Sequence, residues 1–146
     1  MISKDTIDKV VTLAVLMPIV ASMGGVAATQ TLTIVVRGLA LGQINKTNLR
    51  WLITRETIVG LGNGLIWALV VSAVATWWFQ DFIIAQIIAI AMIINLLVAV
   101  LSGVSIPLLL RYFRLDPGIG GTVIVTTITD VAGFMSFLGL ASIYLR

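Results

Sequence analysis

Phe82–Leu110 reads FIIAQIIAIAMIINLLVAVLSGVSIPLLL and contains no charged residue. It is longer than the roughly 20 residues that an α-helix needs to cross a hydrocarbon core of about 30 Å. Its apolar residues run continuously instead of alternating with period two, which points to a helix and not to a barrel strand. A helix satisfies all of its own backbone hydrogen bonds in lipid. Three more stretches resemble it. Val10–Val36 and Thr57–Gln80 are free of charge, and Pro117–Leu145 contains one charged residue, Asp130. Val10–Val36 starts too late and holds too many small polar residues for a signal peptide, so it is read as a span. The expected fold is all-α and integral to a bilayer. About four spans make a single membrane domain over 1–146, with helices near 8–36, 56–79, 82–111 and 118–145.

Composition agrees. Hydrophobic residues make up 60% of the chain and charged residues 10%, against about 25% charged in soluble domains. There is no cysteine and no histidine. Disulfides, thiolate metal sites and the commonest general base are thereby excluded. No Ser/His/Asp set, phosphate loop or spaced carboxylate pair is present, so an enzyme is not expected. The net charge is +3, and its placement is informative. Arg37, Lys46, Arg50 and Arg55 fall between spans one and two, and Arg111 and Arg114 between spans three and four. Lys4, Lys9 and Arg146 on the other side are partly offset by Asp5, Asp8 and Asp81. The positive-inside rule then places the basic loops in the cytoplasm and both termini outside, in a cell inner membrane. The same rule accounts for the basic residues, so nucleic acid is not implied. Trp77, Trp78 and Phe79 fit an outer aromatic belt, and Trp51 fits an inner one.

The spans are more than anchors. Gly25, Thr29 and Thr33 recur every fourth residue of span one, near Ser22 and Gln30. Gly60 and Gly64 form a small-xxx-small pair in span two, read as helix packing. Ala91, Asn95, Ala99, Ser102 and Gly103 form a stripe in span three. Pro18 and Gly24–Gly25 weaken a helix in mid-membrane, which is tolerated where the backbone faces protein or a wet cavity.

Span four is the sharpest. Thr122, Thr126, Thr129, Asp130 and Gly133 fall at offsets 0, 4, 7, 8 and 11 and make one polar stripe. Asp130 lies roughly 20 Å from either end of its run. An acid there costs about 2.5 kcal/mol or more, and no span carries a Lys, Arg or His to pair with it. Either it is a protonated structural group bonded to Thr or Asn, or its partner is a passing cation or proton. Only oxygen ligands are on offer, which suits a hard cation such as Mg²⁺, Mn²⁺ or Ca²⁺. One acid per chain is too few for a dehydrated calcium cage. Mg²⁺ keeps its waters and uses one or two carboxylates, so two copies of Asp130 in a homodimer would suffice.

Several segments resemble the MgtE family of magnesium channels. They are Met17-Pro18-Ile19-Val20-Ala21-Ser22-Met23-Gly24-Gly25-Val26-Ala27-Ala28-Thr29-Gln30, then Val36-Arg37-Gly38-Leu39-Ala40-Leu41-Gly42, then Arg55-Glu56 leading into Gly60, then Asp116-Pro117 and Thr126-Thr127-Ile128-Thr129-Asp130-Val131-Ala132-Gly133-Phe134. They occur in family order across nearly the whole chain. The resemblance implies a homodimeric pore in the lipid bilayer, with Mg²⁺ as the transported ion and Mn²⁺, Co²⁺ or Ca²⁺ as further candidates. Asp130 matches the family's magnesium-binding aspartate. Asp116 matches an aspartate at the cytoplasmic mouth, although a carboxylate there also suits the start of a helix. Thr126 and Thr129 are expected beside Asp130 as metal-site residues. Ser22, Gly25, Thr29, Thr33, Thr122 and Gly133 are expected to line the pore. Val26 and Ala28 depart from the family's Gly-Gly-Asn-Ala-Gly-Thr-Gln, and Thr122-Val123 stands where it often has Asn-Pro. The family's membrane domain has five helices, and the resemblance covers the last four. Its cytosolic magnesium-sensing regulatory domains have no counterpart in this sequence and are expected partners. Two alternatives stay open: a proton-coupled small exporter, and a non-transporting assembly subunit in which Asp130 only packs.

Overall fold

The computed structural model describes residues 4–45, 47–80 and 82–144. Lys46, Asp81 and Arg146, which entered the charge reading, lie outside the described residues. Four helices follow one another: α1 Lys4–Ala40, α2 Leu49–Phe79, α3 Phe82–Tyr112 and α4 Ile119–Tyr144. Each contains a segment long and apolar enough to span a membrane: Val11–Ala40, Leu49–Phe79, Phe82–Tyr112 and Gly120–Tyr144. The fold is all-α, with no strand among the described residues.

The helices overrun the charge-free stretches. α1 continues past Arg37 to Ala40, and α2 starts at Leu49, well before residue 56. Charges mark where hydrocarbon ends. Backbone hydrogen bonds do not end there, because a helix is equally satisfied among head groups. The Arg55 guanidinium lies over the Trp51 ring at 5.3 Å on this extra part of α2, an arrangement that suits an interface.

Each turn has a local cause. Gly42 adopts φ 68, while the Gln43 N–H reaches Gly38 O at 2.8 Å and the Gly42 N–H reaches Leu39 O at 3.2 Å. This is a Schellman ending, which glycine enters without a Cβ penalty. Arg114, at φ 60, ends α3 the same way, with the Leu115 N–H on Leu110 O at 2.8 Å. Gln80 is left-handed and its N–H caps Thr76 O, leaving a single residue before α3.

α3 is the central helix and packs against the other three; α1 also packs on α4, while α1 and α2 barely touch. The reason is compositional. α3 carries small residues on several faces, so neighbours approach from several directions. A Cβ on Gly103 would lie 2.9 Å from Ala28 O of α1. A Cβ on Gly60 of α2 would overlap Val100 of α3, and one on Gly64 would lie 3.5 Å from Leu96. The Gly60–Gly64 pair is therefore a packing face, as its spacing predicts. The dry core gathers Val20, Ile87, Ile88, Ala91, Met92 and Phe137. Leu69, Trp77, Met135 and Val15 project outward, as lipid-facing residues do.

Candidate ion site between α1 and α4

α1 runs unbroken through Pro18 and Gly24–Gly25, and the two glycines serve opposite sides. Gly24 is buried, and a Cβ there would overlap the Asn95 amide of α3. Gly25 is half-buried and faces α4, where a Cβ would lie 3.9 Å from Thr129 Oγ1. Beside Gly25 an open groove of about 420 Å³ runs between α1 and α4. Asp130 and Thr126 form its α4 wall, and Ser22, Gly25, Thr29 and Gln30 form most of its α1 wall. Among the described residues the Asp130 carboxylate, half-buried, has neither a hydrogen-bond donor nor a basic side chain as partner.

The threonines sort themselves by hydrogen bonding. Thr33, Thr54, Thr57, Thr76, Thr122, Thr127 and Thr129 return their hydroxyls to a carbonyl one turn back. Thr29 and Thr126 do not, and both line the groove. Their hydroxyls stay available to waters or to an ion. The groove thus offers one carboxylate, three hydroxyls and an amide, all with oxygen donors, which match a hard, hydrated cation. Asp130 is the one charged residue among those that line the groove, and no cluster of three or more His, Cys, Asp or Glu side chains able to hold a metal occurs among the described residues.

Some expected residues fall elsewhere. Thr129 is fully buried, and its hydroxyl donates to Val125 O and Thr126 O, each at 3.0 Å. Gly133 is buried against Asn95 and Ala21, where a Cβ would lie 3.0 Å from Asn95 Nδ2. Both are packing residues on the inner side of α4. Thr33 and Thr122 are exposed but do not border the groove. Asp116 is exposed, and its Oδ1 accepts the Gly118 N–H at 2.9 Å, just ahead of α4. It caps the turn into the helix, where a carboxylate also complements the helix dipole. Gln30 was not among the expected lining residues. The signal for it was its place beside Thr29 in an otherwise uncharged span. Val26, at 54% exposed, also borders the groove.

The model of the MgtE family, described as divalent cation transporter, matches residues 17–140. This chain belongs to that family. It is 29% identical to the magnesium transporter MgtE of Bacillus subtilis over 98% of its length and 32% of the relative's. It is 30% identical to the magnesium transporter MgtE of Enterococcus faecalis over 92% of its length and 30% of the relative's. The corresponding Thermus thermophilus protein is 27% identical over 98% of this chain and 32% of its own. The chain thus spans about a third of the length of these relatives. MgtE proteins are transporters and not enzymes.

Proposed function

We propose that this chain is the membrane-spanning part of a magnesium transporter and that Asp130 holds the ion in transit. One observation carries the reading: an acid without a protein partner, in a groove of oxygen donors, on helices that are otherwise apolar. A polar groove open to lipid is costly. A second copy of the chain, facing its own groove to the first, removes that cost and supplies a second Asp130. The homodimer then flanks a hydrated Mg²⁺ with two carboxylates, while Thr126, Thr29, Ser22 and Gln30 hold its waters. Thr129 and Gly133 support this wall from behind by fixing α4 against α1 and α3. Mn²⁺, Co²⁺ and Ca²⁺ are competitors for the same oxygen set. Val26 occupies the wall where the family pattern has Asn, so this pore holds its ion with one amide fewer. Asp116 stands near the cytoplasmic mouth, and cytosolic regulatory domains are the partners on that side. The domain occupies 1–146 in a cell inner membrane with both termini external.

The test is Mg²⁺ flux into proteoliposomes. Asp130→Asn keeps size and hydrogen bonding but removes the charge. Flux is expected to fall at least about tenfold, which corresponds to only about 1.4 kcal/mol of lost ion stabilisation. Dimers should still be trapped by crosslinking. An unmodified rate through the folded Asp130→Asn protein would decide for a structural acid. Cysteines at Asn48 and Phe113 should label from the cytoplasmic side, and external labelling of either would reverse the orientation.

A further inference from the structure

The bundle also holds a buried acid that this pathway does not use. Glu56 lies two turns into α2 and is only 7% exposed. Among the described residues its carboxylate makes no hydrogen bond and no ion pair. It opens on a cavity of about 80 Å³ between α1 and α2. The cavity exists because those two helices scarcely meet and both rest on α3, whose Leu96 and Val100 form its floor.

The polar wall is built from both sides. Gln30 and Thr31 come from α1, and Asn63 comes from α2. Thr31 is 5% exposed. Its hydroxyl, like those of Thr29 and Thr126 in the groove, makes no bond back to its own helix. A carboxylate, a hydroxyl and two side-chain amides therefore converge on one small space. No basic side chain borders it. Arg55, the neighbour on α2, is turned over Trp51 instead. The Glu56 carboxylate oxygens are not sealed off; they reach the cavity, where a positive partner would offset the cost of placing an acid this deep. All the converging groups offer oxygen, which selects a hard cation. A water needs about 10–15 Å³ of such space, so the cavity accepts an ion with a few waters of its own.

We propose that Glu56, Thr31, Gln30 and Asn63 form a second divalent-cation site, separate from the Asp130 groove. The ion binds Glu56 directly and keeps waters toward Thr31 and the amides. Gln30 borders both the cavity and the groove, so an ion held here competes for an amide that also faces the groove.

Mn²⁺ binding to the full chain in lipid nanodiscs, followed by electron paramagnetic resonance, tests this. The Asp130→Asn protein is expected to keep a bound Mn²⁺. Adding Glu56→Gln in that background should weaken the remaining site about a hundredfold. Adding the isosteric Thr31→Val should weaken it about tenfold, the lower range for a group acting through another ligand. Thr31→Val also provides the reading if the Glu56→Gln protein does not fold. Absence of bound Mn²⁺ in Asp130→Asn would overturn the proposal, and so would binding that neither added substitution changes. The carboxyl would then be held neutral by a proton. The Asp130 pathway fails on a different measurement, flux through Asp130→Asn, so the two readings can fail separately.

Discussion

Asn95 and Asp130 each place a polar side chain against α1, and the bundle treats them in opposite ways. Asn95 is fully buried in the most apolar helix, and its Nδ2 donates to Val20 O at 2.9 Å. Gly24 and Gly133 close over it from α1 and α4, and its Oδ1 has no hydrogen-bond partner. Asp130 faces an open groove, and its carboxylate makes no hydrogen bond among the described residues. The difference follows from charge. A neutral amide can be held by one fixed carbonyl, and an unmet acceptor costs about 1–3 kcal/mol. A carboxylate cannot be met that cheaply in a dry place, so it stays where water and ions reach. α1 makes both possible with adjacent glycines. Successive residues of a helix point about 100° apart, so Gly24 lets the bundle close and Gly25 leaves the groove wall low.

Exchanging the two chemistries should give the largest effect. Asn95→Asp keeps the shape but puts an acid in the closed junction, with an oxygen facing Val20 O where a donor stood. If ionised, it costs at least about 2.5 kcal/mol. If protonated, it still trades an amide donor for a less well placed hydroxyl. A fall in thermal unfolding temperature, or loss of folded protein, is the expected outcome. Asp130→Asn, the reverse change in the groove, should leave the unfolding temperature within the scatter of the unmodified protein. Equal stability effects at the two sites would erase the distinction between junction and groove.

The glycine pair sharpens the same comparison at smaller cost. Gly24→Ala forces a methyl into the Asn95 amide and should destabilise by about 1–3 kcal/mol, the usual cost of overpacking. Gly25→Ala meets nothing closer than Thr129 Oγ1 at 3.9 Å. The fold should tolerate it, while Mg²⁺ flux falls because the methyl narrows the groove. Gly62→Ala is the control, since a Cβ there meets nothing within 4 Å. Circular dichroism melts and flux on the three variants separate the roles. A stable Gly24→Ala protein would mean that the junction is looser than its geometry.

The spans, their number and Asp130 could be read from the sequence because each rests on a large local signal: a long charge-free run, or a single acid inside one. The Gly60–Gly64 face was legible from spacing alone. What the sequence hid was direction. The stripe from Thr122 to Gly133 is about 100° wide, and a helix wedged between α1 and α3 shares such a width between two surroundings. Thr126 and Asp130 fell to the groove, while Thr129 and Gly133 fell to the packing. Asn95 was visible as an amide in the middle of its apolar span, but its alignment with Gly24 and Gly133 depends on three helices meeting. The Glu56 cavity depends on two helices not meeting, which no local pattern encodes. Helix ends ran past the charges because lipid thickness limits charge and leaves hydrogen bonding untouched.

The finest test uses two threonines almost one turn apart on α4. Thr129 is enclosed and donates to Val125 O and Thr126 O. Those carbonyls already accept within or near the helix, so the hydroxyl adds little, and Thr129→Val keeps its volume. Stability should change by less than about 1 kcal/mol, in line with the roughly 0.6 kcal/mol average for side-chain hydrogen bonds inside membrane bundles. Mg²⁺ flux should not change. Thr126 keeps its hydroxyl free toward the groove beside Asp130. Thr126→Val removes a water-holding group from the proposed ion path, so apparent Mg²⁺ affinity should weaken by a few-fold up to about tenfold, with an unchanged unfolding temperature. The two substitutions delete the same atom from the same kind of residue. If Thr129→Val lowers flux as much as Thr126→Val, the hydroxyl that matters is not the one facing the groove, and the ion path would have to lie on the inner side of α4.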